Sequence, residues 1–263
     1  YIITLFLFLI IIKIVNPSLV QKISFINYDF YQKVFNRGEV QNVTIVDIDE
    51  KSIAKIGQFP WRRDIYSKIL NNLNQFNPSA IAFDIVFSEE DKQNPQDLLL
   101  KLQKESDQLI TANVLNTNKI FIDSISKSKV VLPVLGEPND NFVENNSKPK
   151  LKIITKGEDA KNFLYSYKNK IISLEEINNA ASGIGAISLI PNIDGIIRNI
   201  PLLYNIDNQI WPSLALEAIR IATNQKNLLV QSDKSGISVI KTRKDVFPGD
   251  QNGIINIKSV SYT

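Results

Sequence analysis

Seven side chains have the types and spacing to do chemistry: Asp47, Asp49, Trp61, Arg62, Arg63, Asp84 and Arg198. Asp47 and Asp49 stand two apart at the end of the run VTIVDI (Val43 to Ile48), so on a strand both project from one face. They also sit at the carboxyl end of that predicted parallel strand, where open α/β sheets bind ligands. Asp84 interrupts the otherwise apolar run AIAFDIVF (Ala80 to Phe87). A lone ionised carboxylate inside a sheet demands a cation or hydrogen-bond donors. Arg62, Arg63 and Arg198 supply guanidinium groups, whose planar fork suits bidentate pairing with a carboxylate. These residues form either a buried ion-pair cluster that pins strand, loop and hairpin together, or a ligand site built from the same groups. The first arrangement predicts that Asp84→Ala costs about 3–5 kcal/mol, the range for a broken buried pair.

Enzyme chemistry has little to work with. The chain has no cysteine and no histidine, which excludes disulfides, thiolate metal sites, cysteine nucleophiles and imidazole acid–base catalysis. Asp47, Asp49 and Asp84 offer oxygen ligands to a hard cation such as magnesium or calcium, but no ligand loop accompanies them. No metal or cofactor is therefore expected. A haloacid-dehalogenase-type phosphatase would want Asp-x-Asp-x-Thr/Val after its first strand, and here Lys51 fills the last place. Divalent-metal hydrolysis on the three acids stays as a minor alternative, and no catalytic residue is assigned. The segment Phe59-Pro60-Trp61-Arg62-Arg63 reads either as a binding lip, with Trp61 for stacking and the arginines as anion hooks, or as a loop whose Trp packs on the core.

The elements that must position these groups follow from patterning. Of 263 residues, 44% are hydrophobic and 22% charged, the balance of a folded globular chain. A formal charge of +3 without any block of basic residues argues against nucleic acid as a partner. Strand Val43–Ile48, a helix on Ile65, Ile69, Leu70, Leu73 and Phe76, and strand Ala80–Phe87 make a βαβ unit with parallel strands. Asn94-Pro95 with Asp97 opens a further helix, with Leu98, Leu99, Leu102, Leu109 and Ile110 on its apolar face. Lys129 to Leu135 is a third strand, in which Pro133 favours an edge or a bulge. Residues 136–161 read as a long exposed insertion. Gly185–Leu189 and Ile196–Tyr204, around a turn at Asn192–Gly195, read as a hairpin. Trp211-Pro212-Ser213 starts a helix, and Gly236–Ile240 and Ile254–Ile257 close the sheet. The expected fold class is α/β: a mixed, mainly parallel sheet with flanking helices and a hairpin, behind an N-terminal transmembrane helix.

Residues 1–15 (YIITLFLFLIIIKIV) have Lys13 as their only charge and are read as a truncated membrane span. Asn16-Pro17 then starts a juxtamembrane helix over residues 16–36. In it Leu19, Ile23, Ile26, Phe30 and Val34 form one apolar stripe, the face expected to pack on the domain or on a partner helix. Residues 37–263 are expected to form the α/β domain that follows.

Three stretches taken in order resemble the CHASE domain of type 2: VDIDEKSIAKIGQFPWRRDIYSKIL (Val46 to Leu70), IAFDIVFSE (Ile81 to Glu89), and GIGAISLIPNIDGIIRNIPLLY with WPSLALEAIR (Gly183 to Arg220). The likeness runs from about Val43 to Ile257. It implies an extracellular or periplasmic sensory module of a plasma-membrane receptor, such as an adenylate or guanylate cyclase or a histidine kinase, whose output domain is not in this sequence. It also implies an anchor in the lipid bilayer, a homodimer and a small-molecule or protein stimulus. A membrane-anchored protein-interaction module is the other reading.

Overall fold

The computed structural model describes residues 1, 4, 6, 10, 17–35, 42–106, 114–139, 147–189 and 192–257. In chain order the elements are α1 (Pro17–Val34), α2 (Glu50–Ile56), α3 (Arg63–Asn74), β1 (Ile81–Ala82), α4 (Pro95–Ser106), α5 (Thr117–Ser126), β2 (Val130–Glu137) and β3 (Lys152–Gly157). A 3-10 turn (Ala160–Phe163) leads to β4 (Tyr165–Tyr167), β5 (Asn169–Ile172), α6 (Glu175–Ala180), β6 (Gly183–Ala186), β7 (Asn199–Pro201) and β8 (Leu203–Ile206). The remainder is β9 (Gln209–Pro212), α7 (Leu214–Ala222), β10 (Asn227–Asp233), β11 (Gly236–Lys241), β12 (Val246–Phe247) and β13 (Ile254–Asn256). The chain divides into two compact units. The first holds residues 1–47, 189–200 and 256–263, and the second holds 48–188 and 201–255.

The second unit is a mixed α/β body with several sheets. Strand β2 is the spine of the first sheet, parallel to β1 and β6 and antiparallel to β5. Pro133 is thus neither at an edge nor in a bulge, contrary to the sequence expectation. Pairing with β1 stops at Val131 and pairing with β5 starts at Val134, so Pro133 falls in a gap on that side where no N–H is required. Helices α3, α5 and α6 cover one face with an aromatic core in which Tyr66, Phe83, Phe87 and Phe121 meet edge-on, with Trp61 at its margin. Such edge-to-face contacts add to the area buried. On the other side α7 packs on β6, and a Cβ at Gly185 would strike the Leu214 backbone, so the close approach requires glycine there.

Three strand expectations need correction. Val43–Ile48 is extended but joins no ladder, and Val43, Ile45 and Val46 are exposed. Of Ala80–Phe87 only Ile81 and Ala82 pair, parallel to β2. Gly185–Leu189 and Ile196–Tyr204 do not form a hairpin, because β6 spends its hydrogen bonds on β2. The presumed insertion contains β3, which runs parallel to β10 in full register from Lys152 to Gly157. That pairing places Leu151 beside Leu228, Val230 and Ile240 in a second core. The expected single, mainly parallel sheet is therefore replaced by several mixed ones.

In the first unit the main element is α1. Its half-buried residues are Val20, Phe25, Tyr28, Asp29 and Gln32, while Ile23, Ile26, Phe30 and Val34 are exposed and the Leu19 side chain lies outside the described residues. The packed face is thus mainly the polar and aromatic one, so the apolar stripe does not pack on the domain as one alternative expected. Among the described residues no helix is long and apolar enough to cross a membrane. The span expected over residues 1–15 otherwise lies outside the described residues, as do Leu109 and Ile110.

Candidate functional site

In the first unit the chemistry gathers on Arg198. The segment Asn192–Ile196 turns tightly: Gly195 N–H donates to Asn192 O at 2.8 Å, and Asn192 N–H donates to Ile196 O at 3.1 Å. Gly195 adopts φ +79°, the region where a side chain is strained. The turn brings Asp194 back towards Arg198, which is only 3% exposed. Arg198 Nε and Nη2 donate to the two carboxylate oxygens of Asp29 at 2.9 and 2.7 Å, and Nη1 donates to Asp194 Oδ1 at 3.0 Å. The guanidinium also lies over the Phe25 ring, 4.6 Å from its centroid. Main-chain contacts extend the lock. Ile257 N–H donates to Arg198 O at 2.8 Å, and Tyr28 Oη donates to Ile257 O at 2.7 Å.

Charge-assisted, bidentate pairs of this kind are the strong class of hydrogen bond. The Arg198 hydrogen bond holds the Asp29 carboxyl below the usual range against a smaller opposing effect of desolvation, and the charges of Arg198 and Lys33 add to it. In turn the Asp29 hydrogen bond raises the proton affinity of Arg198. One buried cation shared by two acids on different chain segments is a clamp between α1 and the turn.

In the second unit the FPWRR segment enters α3. Trp61 is 6% exposed, packs beside Tyr66 and donates its indole N–H to Gly57 O at 2.7 Å. Its ring is core, not a stacking lip. Arg62 forks onto Asp64 at 2.6 and 2.9 Å, which lowers the Asp64 pKa and raises that of Arg62. Arg63 is buried over the Phe87 ring at 4.5 Å and donates from Nη2 to Glu89 O at 2.7 Å. Burial lowers the Arg63 pKa more than the Asp91 charge raises it. Asp91 is a buried junction: Oδ2 accepts from Arg63 N–H at 2.9 Å and Thr117 Oγ1 at 2.8 Å, and Oδ1 accepts from Gln93 N–H at 3.0 Å. Asn94 Oδ1 accepts from Thr117 N–H at 3.1 Å. This junction ties the start of α3 to the start of α5.

The seven expected residues are divided between the two units. Arg62 and Arg63 pair locally, and Arg198 belongs to the first unit with Asp47. Asp49 caps α2, its Oδ1 accepting from Ser52 N–H at 2.8 Å and from Ser52 Oγ at 2.6 Å. These bonds, the one from the hydroxyl first, lower its pKa. Asp84 is exposed and, among the described residues, makes no ion pair, so the buried partner expected for it is absent. The run around it forms only a two-residue ladder, which leaves the carboxylate in water. Among the described residues no group of three or more acids stands close enough to hold a metal ion.

Sequence reasoning missed Asp29, Asp91, Thr117 and the pair Glu217–Arg220. Glu217 is fully buried and takes Arg220 Nε and Nη2 at 2.7 Å each, under Gly183, whose absent side chain leaves room for the carboxylate. Only that pair had a readable signal, an acid and an arginine three apart on a helix. Asp29 and Asp91 find their partners 169 and 28 residues away.

A family model described as the CHASE2 domain matches residues 3–262, essentially the whole chain. No curated protein and no solved structure matches.

Proposed function

Because the chain belongs to the CHASE2 domain family, a family of extracellular sensory domains of signalling receptors, we propose that it is the stimulus-detecting part of a plasma-membrane receptor whose output is a cyclase or a histidine kinase. The domain stands on the extracytoplasmic side and passes its state to the membrane through α1. A sensor needs two states and an element whose position differs between them. The observation that carries this reading is the Arg198 clamp, which fixes α1 to the Asp194 turn through one buried guanidinium. Releasing Asp29 frees the helix without disturbing the second unit's cores, all of whose members lie elsewhere.

The full-length receptor tests this. Asp29→Asn is expected to shift basal output, read as cyclic-nucleotide formation or autophosphorylation, by several-fold, while Asp84→Asn leaves it unchanged. Equal output from wild type and Asp29→Asn would refute coupling through α1. An open reading frame that lacks any cyclase or kinase domain would refute the receptor assignment.

A further inference from the structure

The apolar stripe of α1 is open: among the described residues Ile23, Ile26, Phe30 and Val34 are 51%, 68%, 63% and 57% exposed. At about 100° per residue these four side chains fall within an arc of about 80°. The arc opposes Phe25, Tyr28 and Asp29, which are held by Arg198 and Ile257. The helix is therefore pinned on one side and bare on the other. Exposed apolar strips of this extent mark an interaction surface.

Charge selects the occupant. The only ionisable groups of α1 that can carry charge at neutral pH are Lys22, Asp29 and Lys33, and Asp29 is taken up by Arg198. Both lysines are exposed and flank the stripe near its two ends. On an antiparallel second copy of the helix each lysine would meet a lysine, and like charges across a helix pair repel. An anionic plane satisfies both at once. The stripe spans eleven residue steps, about 17 Å at 1.5 Å per residue, too short to cross a bilayer but suited to lie in its surface. A basic helix with Ile, Phe and Val on its bare face is the pattern of an interfacial helix. The apolar run Tyr1–Val15 ends two residues before it begins.

We propose that α1 lies in the headgroup region of an anionic lipid bilayer, with Ile23, Ile26, Phe30 and Val34 immersed and Lys22 and Lys33 paired with lipid phosphates. This goes beyond the sensory reading and holds whether or not the domain detects a stimulus.

The chain has no cysteine, so Ile26→Cys accepts a single environment-sensitive dye, and Phe76→Cys, at a position 83% exposed in the second unit, gives the control. The full chain is reconstituted in vesicles of phosphatidylcholine with 30% phosphatidylglycerol, so residues 1–15 are the same in every sample. The dye at position 26 is expected to brighten and to be quenched by lipids carrying a shallow spin label, while the dye at 76 is not. Lys22→Gln and Lys33→Gln are each expected to weaken this immersion about fivefold, as loss of one basic residue near an anionic surface should. Brightening at position 26 that rises with protein concentration and ignores lipid composition would assign the stripe to a second copy and overturn the proposal. Equal responses at 26 and 76, or none at 26, would overturn it as well.

Discussion

Asp29→Asn should release α1 locally, and the size of the effect can be worked from the clamp. The substitution leaves one acceptor oxygen for Arg198 but removes the charge and turns an amide N–H₂ towards a guanidinium. A charged hydrogen bond contributes about 1.5–3 kcal/mol, and removing one partner of a fully buried pair costs about 3–5 kcal/mol. Two facts reduce the cost here. The Asp29 side chain is 34% exposed, and Arg198 keeps Asp194 at 2.9 Å. A loss of about 1.5 kcal/mol follows once water and the second acid compensate. Because the second unit has its own cores, global melting is a poor readout, and amide hydrogen exchange on α1 is the direct one.

An opening free energy lowered by about 1.4 kcal/mol means about tenfold faster exchange of the α1 amides. Arg198→Met should accelerate the same amides by at least as much, since it leaves two acids unpaired and takes the cation off Phe25. The double variant should fall short of the summed effects by about 1 kcal/mol, the coupling of groups in contact. Additive single effects, or α1 amides that exchange within twofold of wild type in Asp29→Asn, would show that the clamp does not hold the helix. The pH dependence has a definite sign. Asp29 has a folded pKa below its unfolded value near 3.9, so its contribution is present above about pH 4 and lost as pH falls through the lower folded value. Protection of α1 should fall only in that acid window.

Three further outcomes follow from the second unit. Glu217→Ala leaves the buried Arg220 without its counter-charge and should cost about 3–5 kcal/mol in denaturant unfolding; a loss under about 1 kcal/mol would mean the pair is solvated. Thr117→Val keeps the shape of a fully buried residue but removes the 2.8 Å bond to Asp91, for a cost of about 1–3 kcal/mol; an unchanged midpoint would contradict the junction. Asp84→Ala should change stability by no more than about 0.5 kcal/mol, as for an exposed residue with no ion pair among the described residues; a loss of several kcal/mol would restore the buried pairing that the sequence suggests.

What could be read from the sequence was mostly local. The helix from Arg63 to Asn74, the helix start at Ser213 and the turn at Asn192–Gly195 depend on neighbours within four residues and lie where patterning put them, except that the first helix stops before Phe76, which is exposed. Pairing choices were not legible. Nothing in LKIITKG says that it aligns with β10 some 75 residues later, and its Lys-rich surroundings mask it as a loop. Apolar runs mislead in the same way: VTIVDI has strand composition, yet composition does not supply a neighbour with free edge groups. The site suffered most, because an acid and its arginine are linked by geometry, not spacing. Arg198 was recognisable from Asp-Gly-x-x-Arg, but its main partner sits on a helix whose apolar stripe drew attention to the opposite face.

The 169 residues between Asp29 and Arg198 also set a schedule. At about 5–20 residues per second, Arg198 leaves the ribosome about 8–34 seconds after Asp29. Throughout that interval α1 exists without its guanidinium, and any nascent chain cut short before Arg198 keeps it so. Closing the clamp therefore certifies that synthesis has passed through about three quarters of the chain, and until then the helix is available to whatever holds a growing chain.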